Sequence, residues 1–136
     1  MIVCDSSILV AALCESERHH SACKTLLTSG PFGVWAQGET FNTLTSGKVK
    51  PRPSASSVAT ALRRSIRPRA TILHLPEVQM LGAFDEAELR GVRGGAIFDY
   101  LHLVTAREHH ADHFYTLNTS HFQTYWRDDD PAIVHP

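Results

Sequence analysis

The sequence predicts an α/β domain in which a parallel sheet carries helices on both faces. Short, nearly continuous apolar runs occur at residues 1–4, 32–36, 70–75, 113–117 and 132–134. Runs of that length without polar alternation suit strands buried on both faces. The segments between them carry apolar residues at helical spacing, so strands and helices alternate. Such alternation implies right-handed parallel crossovers and a three-layer domain. Strand order does not follow from periodicity.

The first strand, Met1 to Cys4, runs straight into Asp5. From Ser6 to about Glu15, Ile8, Leu9, Ala12 and Leu13 recur at helical spacing. A second helix is expected over Glu17 to Thr28, with Ala22, Leu26 and Leu27 on one face, and Ser29-Gly30-Pro31 ends it. Phe32 to Ala36 is the second strand. Glu39 then opens a helix bearing Phe41, Leu44 and Val49. Lys48-Val49-Lys50-Pro51-Arg52-Pro53 is a basic linker that proline keeps from being helical. Ser54 is a suitable N-cap for a helix to about Ile66. Ala70 to Leu75 is the third strand, and Pro76 opens a helix through Val78, Leu81, Phe84 and Ala87 that weakens near Gly91. Gly94-Gly95 turns into Ala96 to Ala106, apolar on most faces as a helix buried on a sheet should be. His113 to Leu117 is the fourth strand. A short helix with Phe122, Tyr125 and Trp126 follows, then a solvated turn at Asp128 to Asp130, and a last strand at Ala132 to Val134.

With 136 residues, 43% hydrophobic and 20% charged, the chain reads as one ordinary globular domain over residues 1–136. A net charge of -1 provides no global attraction to nucleic acid, so any such affinity must come from uneven charge placement. Cys4, Cys14 and Cys23 are odd in number and form no CxxC pair, which points to reduced thiols, with Cys4 a small core residue. No run approaches the roughly 20 apolar residues of a membrane helix, and Asp5 interrupts the only candidate leader. A cytoplasmic protein without membrane attachment is expected.

Four polar residues fall just beyond strand ends or in an adjoining first helical turn: Asp5, Glu39, Asp99 and Asn118. Any one of them has a structural explanation as a cap or a helix-dipole partner. Gathered in one crevice, the carboxylates would repel unless a cation neutralised them. Oxygen-only donors suit Mg²⁺ or Mn²⁺, and such an ion suits phosphodiester hydrolysis, where it polarises the phosphoryl oxygen and activates water. The histidines form no zinc spacing; His109 and His110 are expected at a helix C-terminus, and His102 and His121 as surface or supporting residues near the acids.

In these stretches the chain resembles PIN-domain ribonucleases, most closely the VapC-type toxins of bacterial toxin–antitoxin systems. Val3-Cys4-Asp5-Ser6-Ser7 is similar to the family's opening strand and aspartate, and Gln37 to Thr45 to the helix bearing its glutamate. Gly95 to Leu101 resembles the helix with its central aspartate, and Tyr115 to Phe122 the segment that closes the site. The resemblance implies a three-layer α/β/α PIN-like domain with a parallel sheet of about five strands. It implies a metal-dependent endoribonuclease in which Asp5, Glu39 and Asp99 surround Mg²⁺ or Mn²⁺. Ser7 and Thr116 would support the site and Asn118 would occupy its fourth position. Many relatives have an aspartate there; Asn118 brings a carbonyl oxygen without charge, which favours one well-bound ion. A cognate antitoxin and a homodimer are implied in the same way.

All seven Lys and Arg residues between Lys48 and Arg69 lie in a stretch without acids from Thr40 to Leu75. Lys48, Lys50, Arg52, Arg63, Arg64 and Arg67 are therefore candidates for contacting RNA phosphates. Asn118 also motivates an alternative, a PIN-like RNA-binding or partner-docking module with little or no nuclease activity. A phosphatase or receiver domain is a weaker fit, because no DxD follows the first strand.

Overall fold

The computed structural model describes residues 1–35 and 37–136. Five strands form one sheet: β1 (Ile2–Cys4), β2 (Phe32–Val34), β3 (Ala70–Ile72), β4 (His113–Tyr115) and β5 (Ala132–Val134). All neighbours pair in parallel, in the order β3-β2-β1-β4-β5. The chain leaves β1 toward β2 and β3, then returns across the sheet to β4. The order therefore reverses between β1 and β4, and the crevice beyond their carboxyl ends is a topological switch point, where ligands of open α/β sheets bind.

The helices are α1 (Ser6–Leu13), α2 (His20–Ser29), α3 (Gln37–Thr45), α4 (Ala55–Ala61), α5 (Glu77–Arg90), α6 (Ala96–Glu108) and α7 (Thr119–Gln123), with a π-helical turn Leu62–Ile66 continuing α4. Adjacent strand residues face opposite layers, and the core divides accordingly. Cys4 and Val34 join Ile8, Leu9, Cys23, Leu27 and Ile66 on the α1 and α2 side. Val3 and Phe114 join Ala83, Tyr100, Leu103, Val104 and Phe122 on the α5, α6 and α7 side. Cys4 and Cys23 are buried free thiols, and burial pushes the pKa of Cys23 up to about 11 and that of Cys4 higher still, so neither is a reactive thiolate.

Several element limits differ from the sequence expectation. α1 stops at Leu13 because Cys14 turns extended, and α2 starts three residues later than Glu17, at His20. The second strand ends at Val34; its expected last residue, Ala36, lies outside the described residues. Val49 is beyond α3 yet buried against Val10, Leu44 and Val58. Ser54 does cap α4, accepting from the Ser57 amide at 3.2 Å.

In α5 the stripe Val78, Leu81 and Phe84 is 77%, 50% and 46% exposed. Met80, Ala83 and Ala87 face the core instead. The helix carries two apolar stripes, and the core takes the one made of Met80 and two alanines. Gly91 ends α5 in the left-handed region at φ 72°, a conformation that favours glycine. Among the described residues no helix is long and apolar enough to cross a membrane.

Gly33 marks where β2 lies closest to its surroundings. A Cβ there would stand 2.9 Å from Leu73 Cδ1 and 3.2 Å from Val3 Cγ2. Both neighbours are buried, so any shift they make must be absorbed by packed core side chains. Gly33→Ala is expected to destabilise the fold by about 1–3 kcal/mol, the cost of overpacking a core. Urea unfolding checks it, and an unchanged midpoint would show that Leu73 moves freely.

Candidate active site

Asp5 follows β1 at the switch point and is 4% exposed. Its amide donates to Tyr115 O of β4 at 3.1 Å, so the two strand ends are tied there. As the N-cap of α1, its Oδ1 accepts from the Ile8 amide at 3.3 Å. The capping role is therefore real, but it uses one oxygen only. Oδ1 also accepts from Ser7 Oγ at 2.5 Å, and Oδ2 from Thr116 Oγ1 at 2.8 Å. Ser7 and Thr116 are fixed in turn, since Ser7 Oγ accepts from the Leu117 amide and Thr116 Oγ1 from the Asn118 amide, each at 3.0 Å. Both hydroxyls thus serve as couplings between the β1 and β4 ends. Burial pushes the Asp5 carboxyl above the usual carboxylate range, with the Ser7 and Thr116 bonds pulling the other way.

Asp99 stands in the first turn of α6, which runs antiparallel to the strands and starts at the same sheet edge. Asp5, Asp99, Asn118, Ser6 and Ser7 line one cavity of about 540 Å³, and Lys48 forms part of its wall. Glu39, in the first turn of α3, is joined to this group through Ser6, whose Oγ donates to Glu39 Oε2 at 3.1 Å. His102 Nε2 reaches the same oxygen at 2.8 Å, and that bond holds the Glu39 carboxyl below its ordinary pKa. Asp99 Oδ2 is matched by His121 Nε2 at 2.8 Å, an exposed pair.

The donor chemistry of Asp5, Glu39 and Asp99 fits a hard divalent cation. All donors are oxygens, and the hydrogen-bond donors to Asp5 are two hydroxyls and one amide, leaving its charge for a cation to balance. Among the described residues no three His, Cys, Asp or Glu side chains already converge on one point. Glu39 and Asp99 each commit one oxygen to a histidine, and the other oxygen of each takes no hydrogen bond among the described residues.

The basic residues are spread over different hollows of the surface. Lys48 reaches the acid cavity. Lys50 lines a separate hollow with Val49, Pro51 and Pro53. Arg64 faces a groove of about 430 Å³ between α1, α2 and the π-helical turn. Arg52, Arg63 and Arg67 are exposed. Asp112 lies at the opposite edge, beside the Met1 amine.

Three features escaped sequence reading. Ser6 is a link to Glu39, signalled only by a hydroxyl next to Asp5. His102 and His121 are expected near the acids, but which carboxylate each meets is not encoded locally, since Glu39 is 63 residues from His102 and Asp99 is 22 from His121. Asp130, expected in a solvated turn, is instead 7% exposed and held by Arg90 and Arg107 at 3.1 and 3.2 Å. Its neighbours Asp128 and Asp129 are the exposed ones.

The family model of the PIN domain matches residues 2–126. No curated protein sequence matches the chain significantly. Among solved structures, the Mycobacterium tuberculosis VapC20, a sarcin–ricin loop cleaving toxin, superposes with a TM-score of 0.72 at 18% identity, covering 96% of this chain and all of that one. FitAcB from Neisseria gonorrhoeae gives 0.63 at 18% identity over 98% and 96% of the two chains. VapBC2 from Rickettsia felis, bound to a promoter DNA fragment, gives 0.62 at 17% over 100% and 99%. At these identities the likeness speaks for the fold.

Proposed function

The chain belongs to the PIN domain family, and on that premise we propose that it is a metal-dependent endoribonuclease, the cytoplasmic toxin of a toxin–antitoxin pair. The observation that carries this reading is the gathering of Asp5, Asp99 and Asn118 around one cavity at the switch point, with Lys48 on its wall. Asp5, Glu39 and Asp99 would hold Mg²⁺ or Mn²⁺. When bound, such an ion supplies charge neutralisation at the phosphoryl oxygens and eases deprotonation of the attacking water. Asn118 offers an oxygen without charge, so the side chains present balance one ion better than two. Lys48 brings a cation to the cavity wall, where it can meet a substrate phosphate. Asp5, buried and braced by Ser7 and Thr116, keeps its carboxylate fixed while substrate enters from the open side.

RNA as substrate and a cognate antitoxin as partner are drawn from the family and from the likeness to VapC20, VapBC2 and FitAcB. A homodimer is supported by the apolar side chains that α5 leaves exposed, Val78, Leu81, Phe84 and Leu89.

Purified protein should cut structured RNA with single-stranded loops in the presence of Mg²⁺ or Mn²⁺, and a chelator should stop it. Asp99→Asn should cut at least about 10–100-fold more slowly, since loss of a ligand costs no less than loss of a residue supporting one. Equal cleavage by both proteins would falsify the metal-site reading. A second reading, an RNA-binding or partner-docking module, is favoured by Asn118 at the fourth position. Retained RNA binding with no cleavage by either protein selects it.

A further inference from the structure

His102 belongs to α6, one turn beyond Asp99, so a single helix carries one carboxylate of the site and the imidazole that touches another. It is 1% exposed. Trp35 packs edge-on against its ring, with centroids 5.0 Å apart and an interplanar angle of 86°. Its Nε2 meets Glu39 Oε2 at 2.8 Å, while its Nδ1 is buried without a hydrogen-bond partner among the described residues. A hydrogen on Nδ1 would therefore be stranded, so the ring's N–H belongs on Nε2, where it donates to Glu39. Ser6 Oγ donates to the same oxygen. Glu39 is thus gripped twice at Oε2, and among the described residues Oε1 takes no hydrogen bond. One oxygen held from behind and one left free is the arrangement that outer partners impose on a ligating carboxylate.

Resting on the metal-site reading above, we infer that His102 is a positioning residue that orients Glu39 so that Oε1 is presented to a divalent cation. His102 itself is not a ligand. Its ring is committed edge-on to Trp35 and its one N–H to Glu39. Among neighbouring side chains, Ser6 shares the task but, on its own, leaves Glu39 free to pivot about a single hydroxyl.

The test is Mn²⁺ binding to the RNA-free protein, followed by calorimetric titration. The proteins compared are wild type, Asp5→Asn, His102→Leu, His102→Gln and His102→Asn, with thermal unfolding of each to show that it is folded. Gln returns an N–H near the Nε2 position, and Asn returns one near Nδ1, which faces away from Glu39. His102→Leu and His102→Asn should bind Mn²⁺ about 10–100-fold more weakly than wild type, and His102→Gln should recover most of the loss. Equal weakening by Gln and Asn overturns the inference, because the donor's position then does not matter. Wild-type affinity in all three His102 variants, alongside loss in Asp5→Asn, also overturns it while leaving the metal site standing. No Mn²⁺ binding by wild type overturns the metal-site reading and this inference with it.

Discussion

Asp5→Asn is expected to abolish RNA cleavage and, in metal-free buffer, to make the protein more stable. The carboxylate is 4% exposed, and burial pushes its pKa upward. A folded-state pKa above the unfolded one means that Asp5 contributes stability below the ordinary carboxylate range and loses it as pH rises through the folded value. At neutral pH the charge is therefore a burden on the fold. Asparagine keeps the shape and an acceptor for Ile8 and Ser7, while its amide can donate to Thr116 Oγ1. A gain of about 0.5–2 kcal/mol at neutral pH is expected, the usual size for a single stabilising substitution. The gain should shrink as pH falls into the carboxylate range, because wild-type Asp5 is then protonated as well.

Mn²⁺ should reverse the order. An ion at 100 times its dissociation constant stabilises a binding-competent protein by about 2.7 kcal/mol, and only wild type should benefit. Thermal unfolding with and without Mn²⁺, at acid and neutral pH, reads all of this. A variant that is less stable than wild type in metal-free neutral buffer would show that the hydrogen bonds to Asp5 outweigh its burial.

Asp130→Ala is expected to cost about 3–5 kcal/mol, the range for breaking a buried ion pair from one side. The Asp130 side chain is fully buried, and those of Arg90 and Arg107 are 11% and 15% exposed. Oδ2 accepts from Arg90 Nη1 at 3.1 Å and from the Arg127 amide at 2.9 Å, and Oδ1 from Arg107 Nη1 at 3.2 Å. Arg90 also donates to Tyr125 O at 3.0 Å, and its guanidinium sits 5.7 Å from the Tyr100 ring centre. One carboxylate thus fastens the loop before β5 to both α5 and α6. Burial raises its pKa, against the pull of the Arg127 amide and the two arginines. Removing it leaves two largely buried cations facing each other. Asp130→Asn should cost less, because it still accepts from the Arg127 amide. Urea unfolding of both variants checks the ranking, and a loss below about 1 kcal/mol for Asp130→Ala would mean that Glu86 and Asp129 compensate.

These two aspartates also mark how far local sequence specifies the site. Asp5 was legible because a buried parallel strand has a recognisable apolar run, and the residue after it must lie at the carboxyl edge. Glu39 and Asp99 were legible for the same kind of reason, each in the first turn of a helix that starts at that edge. Asp130 was not legible. Its partners Arg90 and Arg107 are 40 and 23 residues away in sequence, and three acids before a proline look alike until one of them is enclosed. The buried side of α5 is not legible either, because Val78, Leu81 and Phe84 make as good an apolar stripe as Met80, Ala83 and Ala87. Periodicity reports that a helix has an apolar side, not which of two sides the core will accept.

The chain by itself determined the alternation of strands and helices, and with it a parallel sheet and the edge where the acids emerge. These follow from local chemistry, from side-chain period and backbone punctuation. Only the tertiary structure decided the order β3-β2-β1-β4-β5, which puts Asp5 beside Thr116 and Asn118. Only it decided that Lys48 alone of the six candidate basic residues lines the cavity with Asp5 and Asp99. It also decided that His102 turns its Nε2 to Glu39. Those are contacts between residues far apart in sequence, set by how buried surfaces pack, and no local pattern encodes them.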